Sequence, residues 1–453
     1  MAIITKVPQS WGRYPRLTPR QVLPIQWRHE LPDLSMLPAP LLPYACGRSY
    51  GDSCLNQDGV LLDVSSLNRL IAFDEQEGVL RCEAGMTFAD ILQVIVPCGW
   101  FIPVSPGTKF VSVGGAIAND VHGKNHHVAG TFGCHVTQFE LLRSNGDRLL
   151  CSPSLNSELF RATIGGLGLT GIILWAEFRL KPIMNPYIDM ESIRFASLDE
   201  FMAISAESDQ SYDYTVSWVD LLVGGKAVCR GKFSRGNASQ STKLRLQSLD
   251  RKHMPLSVPF DLPSFALNYY TVKAFNEVYY RVQTVKRVRK VVSYEPFFYP
   301  LDSIHDWYRL YGRRGFLQYQ FLVPFAQSYD AMREVMGRIR ASGEGSFLTV
   351  LKQFGTIKSP GMLSFPRPGL NLALDFSYRG KKTLRLLDEL DQVVLQSGGR
   401  LYPAKDARMS AATFQTCYPE WKEFTRYIDP RFSSSFWRRV TVPTASMAQL
   451  AHE

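Results

Sequence analysis

Three glycine-rich turns lie close together in the first third of the chain and constrain its fold more than any other feature. They are GRSYGD (Gly47–Asp52), SPGTKFVSVGGAIAND (Ser105–Asp120) and VHGKNHH (Val121–His127). Because glycine has no Cβ and adopts positive φ without strain, such turns let backbone N–H groups approach a ligand closely. We therefore expect the three turns to form one cradle for a long ligand, such as a dinucleotide pyrophosphate.

Composition places the chain among folded globular proteins. Its 453 residues predict two or three domains, and 45% hydrophobic with 20% charged residues is an ordinary balance for such a protein. The net charge of +10 favours anionic partners such as phosphates or anionic lipid surfaces, although a merely basic surface explains it equally well. No RNA- or DNA-binding module accompanies the charge, so we predict no nucleic-acid partner.

The cysteines and the apolar runs of the sequence favour a location in the cytoplasm. The eight cysteines are scattered without a CxxC pair, so reduced thiols in the cytoplasm fit better than a metal site or a disulfide framework. The longest uncharged run, 91–108, contains three prolines and cannot form a membrane-spanning helix. We expect a cytoplasmic protein that is soluble or docks peripherally on the inner face of the cytoplasmic membrane.

Short apolar runs between Asn, Asp and Gly turns predict a strand-rich first part of the chain. The predicted strands are Val60–Val64, Leu70–Phe73, Val79–Glu83, Phe139–Leu142 and Ile172–Leu180. Helices are predicted at Thr87–Val96, capped by Thr87 or a neighbour, and at Asn156–Thr163, capped by Asn or Ser. Strand and helix do not alternate strictly, so the pattern indicates an α+β fold.

A change in composition after Lys181-Pro182 predicts a second α+β domain. We predict helices at Tyr329–Ser342 and Thr383–Gln396 and an aromatic strand at Phe316–Val323. Gly398-Gly399-Arg400 then opens a last segment that contains YPAKDAR.

The segment GLGLTG (Gly166–Gly171) matches the GxGxxG dinucleotide fingerprint. That fingerprint needs a strand before it and a helix after it, so that the pyrophosphate meets a helix N-terminus. Here a predicted helix precedes the glycines and a predicted strand follows them. We therefore predict no Rossmann nicotinamide site; the glycines allow close packing or contact a cofactor by another route.

The turn GRSYGD, together with SVGGAIAND and the PGT before it, resembles the FAD-binding domain of the vanillyl-alcohol-oxidase-type (PCMH-type) flavoenzymes. In that family the first turn wraps the pyrophosphate, and the GGAIA segment lies along the ribityl and isoalloxazine side. Many relatives carry a histidine in the first turn that bonds covalently to the flavin. Here Tyr50 follows Arg48-Ser49, so the resemblance implies noncovalent FAD.

Further motifs resemble those of the decaprenylphosphoryl-ribose oxidases within that family, and they occur in the same order along the chain as in those enzymes. They are HGKNHH, GGLGLTGII, GFLQYQF, SFLTVLKQFG, LSFPRPG and LYPAKDAR, and the resemblance runs from about residue 40 to 435. It implies a two-domain PCMH-type fold, with a FAD-binding domain at 1–185 that is completed by 400–453. A substrate-binding α+β domain would occupy 186–399.

The resemblance also implies cofactor contacts, residue by residue. The implied FAD contacts are Tyr44, Ala45, Cys46, Gly47, Arg48, Ser49, Tyr50, Gly51, Asp52, Ser53, Gly107, Ser112, Val113, Gly114, Gly115, Asn119, His122, Gly123, Lys124, Asn125, Ile173 and Tyr402. The three histidines of VHGKNHH could instead bind zinc or be ordinary loop residues. Zinc would need better separated ligands with carboxylate or thiolate help, so we predict no metal.

The same resemblance implies catalytic and substrate-binding residues. Lys405 would be a fixed cation beside the flavin, His122 a candidate base and Tyr50 a positioning group. Without the resemblance, Lys405 could equally be a surface lysine paired with Asp406. The implied substrate contacts are Lys124, Gln318, Gln320, Lys352, Ala373 and Lys405. Ala373 stands where these oxidases have a pocket cysteine, so that thiol is not needed for alcohol oxidation.

The implied activity is FAD-dependent oxidation of a polyprenyl-phosphate-linked ribose at its 2′-hydroxyl to the 2-keto sugar. A separate NAD(P)H-dependent keto-sugar reductase would complete the epimerisation to the arabinose donor of arabinan and cell-envelope biosynthesis. The alternatives are a sugar-lactone or alditol oxidase that uses a soluble substrate and oxygen, and a non-enzymatic lipid-phosphate-binding protein without flavin.

Two segments are consistent with an amphiphilic substrate. Residues 254–280 are rich in Pro, Phe and Tyr without strong periodicity, which we interpret as a mobile apolar flap. Arg281–Lys290 (RVQTVKRVRK) contains five basic residues in ten and predicts contact with an anionic membrane surface. A solvated basic face explains this second segment equally well.

Overall fold

The computed structural model describes residues 8–223, 228–242, 256–263 and 265–441. In the first part of the chain, a three-stranded parallel sheet and a five-stranded antiparallel sheet carry the glycine-rich turns. The small sheet has the order β1 (Gln21–Pro24), β3 (Val60–Asp63), β2 (Leu41–Tyr44). The larger has the order β4 (Leu70–Asp74), β5 (Val79–Glu83), β9 (Ile172–Arg179), β7 (Val136–Leu142), β8 (Arg148–Cys151). A short pair joins β6 (Trp100–Phe101) to β10 (Lys181–Pro182).

Helices in this part begin where the sequence supplies caps. The helices are α1 (Phe88–Ile95), α2 (Val113–Ala118), α3 (His126–Ala129) and α4 (Ser157–Thr163). Thr87 caps α1 in a capping box with Asp90, as predicted. Asn156 occupies the N-cap position of α4 but adopts φ 49°, and its side chain donates to the Leu150 carbonyl instead of capping. Asn156 is thus the N-cap residue, as predicted, but its side chain does not cap the helix.

An eight-stranded antiparallel sheet, here called the large sheet, dominates the rest of the fold. Its order is β15 (Arg287–Ser293), β11 (Tyr187–Phe195), β13 (Arg230–Ala238), β12 (Tyr214–Asp220), β18 (Thr349–Phe354), β19 (Gly369–Ser377), β17 (Phe316–Val323), β20 (Arg400–Leu401). β14 (Leu256–Ser257) and β16 (Ile304–His305) form a separate parallel pair. The predicted aromatic strand Phe316–Val323 is confirmed with its bounds.

Helices cover one face of the large sheet, here called the back face. The other face, here called the front face, is left largely to a cavity. The remaining helices are α5 (Leu198–Ser208), α6 (Tyr269–Arg281), α7 (Tyr294–Phe298), α8 (Phe325–Ser342), α9 (Lys381–Gln396), α10 (Ala411–Cys417), α11 (Trp421–Phe424) and α12 (Ser435–Thr441). Side chains of α5, α8 and α9 share one apolar core with back-face residues such as Phe233, Leu351 and Leu372. On the front face Trp218 and Ala373 are only half-buried. The α+β class is confirmed.

The predicted apolar flap is wrong over its second half. Asn268 caps α6 by accepting from the backbone N–H groups of Tyr270 and Thr271, and a helix follows to Arg281. Residues 254, 255 and 264 of the predicted flap lie outside the described residues. The basic segment continues from α6 into β15, an edge strand paired with β11. No helix in the described part of the chain is long and apolar enough to cross a bilayer.

The C-terminal segment returns to the first glycine-rich turn. Arg439 on α12 donates to both Asp52 carboxylate oxygens, at 3.0 and 2.7 Å, and to Asp406 at 2.9 Å. These bonds hold the last described helix against GRSYGD. The domain boundaries at 185 and 400 stay predictions.

Candidate active site

One cavity of about 1230 Å³ joins the glycine-rich turns to the front face of the large sheet. Typical small-ligand sites span roughly 300–1,000 Å³, so this one has room for a cofactor and part of a second molecule. All six predicted substrate contacts and all three predicted catalytic residues line it. The fold therefore brings together side chains from the third turn, from β17, β18 and β19, and from YPAKDAR.

Glycines of all three turns line the cavity, among them Gly47, Gly107 and Gly123. Gly47 adopts φ +57°, a conformation that favours glycine, and a Cβ at Gly107 would meet no atom within 4 Å. Most of the predicted cofactor contacts line the cavity. Four of them do not: Gly51, Asp52, Val113 and Asn125 lie behind its wall. As cofactor contacts all of these residues stay predictions.

GLGLTG lies beside the same cavity through Leu167, Gly168 and Gly171. α4 ends just before it and β9 begins at Ile172, so the reversed helix–strand context is confirmed. Gly171 has φ +136°, and a Cβ there would lie 2.4 Å from the Leu142 carbonyl oxygen. These glycines therefore serve close packing and a bare cavity wall instead of a nicotinamide fingerprint.

Several polar atoms of the cavity wall lack partners, which is the pattern that a polar cofactor would complete. Arg48 Nε, Ser53 Oγ and His122 Nδ1 are buried, and none has a hydrogen-bond partner among the described residues. Buried polar groups in native proteins are normally satisfied. The open glycine turns and these three atoms fit a long polar cofactor such as FAD.

His122 is held as a neutral imidazole. Burial, reinforced by Lys352, His126 and Lys405, lowers its pKa well below the ordinary value. Its Nε2 lies 3.0 Å from the Gln320 amide nitrogen, which donates to it and also to Asn371 Oδ1 at 2.9 Å. The basic nitrogen of His122 is thus already occupied, so this geometry favours a positioning role over the predicted role as base.

Lys405 lies where the cradle meets the sheet. The backbone N–H of Tyr50 donates to the Ala404 carbonyl at 2.9 Å, and Lys405 Nζ lies 3.8 Å from the centre of the Tyr50 ring. Burial lowers the pKa of Lys405 to about 7, with Asp375 opposing the fall and Lys352 adding to it. The alternative of a surface lysine paired with Asp406 is wrong, because Lys405 lines the cavity with its Nζ against the Tyr50 ring. Asp406 accepts from Arg439 instead.

Asp375 is a buried carboxylate that the sequence analysis missed. It accepts from Gln318 Nε2 at 2.7 Å and from the Tyr311 hydroxyl at 3.4 Å. Burial raises its pKa to about 7. The sequence could have indicated Asp375 as a site residue. It follows Ala373 by two positions, so both side chains lie on the same face of the strand, and its neighbours Leu374 and Phe376 are apolar.

Two further lysines, Lys124 and Lys352, line the cavity. Burial lowers the pKa of Lys124 to about 7, with Lys352 adding to the effect, and lowers the pKa of Lys352 to about 8. Lys124 Nζ donates to the Phe297 carbonyl. An anionic group bound between these lysines would stabilise their charged forms. The site is therefore suited to a ligand that carries a phosphate.

The basic segment 281–290 is largely neutralised by acidic side chains. Arg281 pairs with Glu277, Lys286 with Glu200, and Arg289 with Glu191 at 2.8 Å. Arg287 lies 3.9 Å from Glu191 as well. Lys290, the fifth cation, lines the cavity.

Comparison with known proteins decides the family. A family model described as an FAD binding domain matches residues 36–152. The chain is 39% identical over 406 residues to the decaprenylphosphoryl-β-D-ribose oxidase of Mycolicibacterium smegmatis, and the match covers 87% of each chain. This chain belongs to the decaprenylphosphoryl-β-D-ribose oxidase family.

Two other relatives match at lower identity, and one of them over less of the chain. The chain is 32% identical to an uncharacterised Streptomyces coelicolor protein of the mprA 5′ region, with 78% of this chain and 100% of that one covered. A putative D-arabinono-1,4-lactone oxidase of Neurospora crassa is 29% identical over 31% of this chain and 25% of its own length. The chain is an FAD-dependent oxidoreductase, and its likeness to lactone oxidases is confined to about a third of its length.

Proposed function

We propose that the enzyme oxidises the 2′-hydroxyl of a polyprenyl-phosphate-linked ribose to the 2-keto sugar, with FAD bound noncovalently. The observation that carries the proposal is the position of Lys405, half-buried at the junction of the glycine-rich cradle and the lysine-rich sheet face. A sugar phosphate that meets Lys405 also meets the charges of Lys124 and Lys352. A neutral alditol or lactone has no group that would use those two cations.

The cradle would hold the cofactor through the residues predicted from the sequence. Backbone N–H groups of GRSYGD would bind the pyrophosphate, because Gly47 lines the cavity in a backbone conformation that favours glycine. His122 Nδ1 and Ser53 Oγ would supply side-chain hydrogen bonds. Bound FAD supplies a hydride acceptor, while the protein supplies orientation and electrostatics.

Lys405 would handle the proton of the substrate hydroxyl. With a pKa of about 7, a substantial fraction of its amine is neutral at physiological pH and can accept that proton. The resulting ammonium, held against the Tyr50 ring, then stabilises negative charge that develops nearby. Lys405 is thus proposed as proton acceptor first and as fixed cation afterwards.

The large sheet would hold the sugar and its phosphate. Gln318 and Gln320 lie two residues apart on β17 and have their amide orientations fixed by Asp375 and Asn371. Lys124 and Lys352 are the proposed phosphate ligands. Ala373 contributes a small side chain without a thiol to the front face of the sheet.

Single-turnover reduction of the bound flavin tests this assignment. The substrate is a farnesylphosphoryl ribose under anaerobic conditions, and the variant is Lys405→Ala. We expect a loss of at least about a hundredfold in the rate of flavin bleaching, typical of a removed acid–base group, with FAD still bound. The exposed Lys422→Ala serves as the matched control. Reduction at the wild-type rate in Lys405→Ala would remove Lys405 from the mechanism.

The keto product requires a partner enzyme and the lipid substrate requires a membrane. We infer that a separate NAD(P)H-dependent reductase consumes the keto sugar, giving the arabinose form used in arabinan and cell-envelope synthesis. We also infer peripheral docking on an anionic membrane surface, supported by the net charge of +10 and by exposed Val278 and Val282 near the cavity. Flotation with anionic liposomes tests the docking; the absence of salt-sensitive binding would contradict it.

A further inference from the structure

The cavity extends well beyond the glycine-rich turns, along the front face of the large sheet. Strand register places Ala373, Val350, Trp218 and Lys232 in one row across β19, β18, β12 and β13. All four line the cavity and are half-buried. Neighbouring strands lie about 4.8 Å apart, so the row reaches about 14 Å from Ala373 to Lys232. The row, here called the floor, starts beside Gln320, a proposed sugar contact, and leads away from it toward β13.

Helix α6 forms a roof over the outer end of that floor. Phe275 and Tyr279 face the cavity one helical turn apart, and their rings stack at 5.9 Å. The Tyr279 ring also meets the edge of Trp218 at 4.7 Å, while Phe275 meets Phe347 at 5.7 Å. The roof therefore contacts the floor through aromatic rings, and all four rings line the same cavity, which we call the channel where it passes beside them.

Charged and polar contacts also fix the roof in place. Lys232 Nζ lies 4.0 Å from the centre of the Tyr279 ring. On the buried side of α6, Asn276 donates to Asp220 at 2.9 Å, and Glu277 pairs with Arg230. These contacts hold α6 at a set height above β12 and β13. The channel is therefore a built part of the fold.

The outer end of the channel opens to the exterior. Phe275, Tyr279 and Val282 line the cavity, yet their exposed fractions are 48%, 43% and 74%. A long apolar chain that enters at the flavin end can leave here. Apolar side chains at such an opening would contact that chain and lose their exposure to water.

We propose that the channel between α6 and the large sheet binds the isoprene units next to the phosphate of the substrate. Its walls are Trp218, Phe275, Tyr279 and Phe347. The proposal rests on the proposed function, which places the sugar at Lys405 and the phosphate between Lys124 and Lys352. From that position the first prenyl units enter the aromatic channel, and the remainder of a long chain passes out beside Val282.

Chain length and channel variants together test the proposal on the FAD-loaded enzyme. Flavin reduction is measured with methyl-, geranyl- and farnesylphosphoryl ribose for wild type, Phe275→Ala and Tyr279→Ala. We expect the wild-type KM to fall from the methyl to the farnesyl substrate. Each variant should raise KM for the farnesyl substrate about tenfold, the scale of a lost apolar pocket contact, and leave the methyl substrate unchanged.

Two matched variants separate binding from folding. Tyr270→Ala removes a tyrosine of the same helix that is 79% exposed and lies outside the cavity, and it should leave every KM unchanged. Tyr279→Phe keeps the ring and should restore tight farnesyl binding. A wild-type KM independent of chain length, or equal losses on methyl and farnesyl substrates, would overturn the channel assignment. Absence of flavin reduction by every phosphoryl ribose would instead overturn the proposed function.

Discussion

The pH dependence of flavin reduction tests the proposed role of Lys405. Burial lowers its pKa from the ordinary 10.5 to about 7. That fall corresponds to about 5 kcal/mol in favour of the neutral amine. Since only the neutral amine accepts a proton, the second-order rate constant for flavin reduction is expected to rise as pH increases through about 7 and to level off above it.

The Asp375→Asn variant tests the direction in which the pH profile of flavin reduction moves. The Asp375 carboxylate raises the pKa of Lys405, so its removal should move the rising limb to lower pH, by about one pH unit. Asp375 has its own pKa raised to about 7, so the wild-type limb belongs to the pair of groups. Asparagine retains an oxygen for Gln318, which keeps the local packing.

Stopped-flow reduction of the flavin by farnesylphosphoryl ribose, at saturating and subsaturating concentrations between pH 5.5 and 9, provides the assay. The exposed Asp330→Asn is the control and should leave the profile unchanged. A rate that falls through pH 7, or a limb that Asp375→Asn leaves in place or moves to higher pH, would refute the reasoning.

Three further variants probe the cradle, the floor and the C-terminal contact. Arg439→Ala should lower the free energy of unfolding by about 3–5 kcal/mol in denaturant titrations, because it leaves buried Asp52 without its partner; a loss below 1 kcal/mol would contradict this. Gly47→Ala should lose FAD during gel filtration, since a Cβ at φ +57° would lie 2.4 Å from the Tyr44 hydroxyl, whereas Gly337→Ala should retain it. Thiol-directed reagents should leave position 373 unlabelled in wild type and should label Ala373→Cys, with protection by substrate; peptide mapping gives the result.

The cradle could be predicted from the sequence because its determinants are local. Glycine spacing, the Thr87 capping box and the period of β17 each act within a few residues, and the structure reproduces the turns and most element bounds. Lys124, Lys352 and Lys405 were reached only through motif order, and Lys232 on the same cavity wall was missed. Nothing local to YPAKDAR places Lys405 against Tyr50, since that contact depends on where β20 joins the large sheet.

The errors arose where distant partners decide the outcome. The aromatic stretch before Arg281 was interpreted as a flap because its apolar residues lack a clean helical period, yet the Asn268 cap and contacts to Trp218 stabilise α6. The basic segment stays a predicted membrane contact, although its cations pair with carboxylates such as Glu191, nearly a hundred positions away along the chain. Asp375 was overlooked because its importance comes from Gln318 on the neighbouring strand.

The central claim is that a prenylphosphoryl ribose reduces the flavin of this enzyme. Its most direct test is anaerobic bleaching of the purified holoenzyme by farnesylphosphoryl ribose beside a panel of free alditols and sugar lactones. We predict complete bleaching by the prenylphosphoryl ribose and none by the soluble sugars at equal concentration. Bleaching by an alditol or a lactone but not by the prenylphosphoryl ribose would contradict the claim.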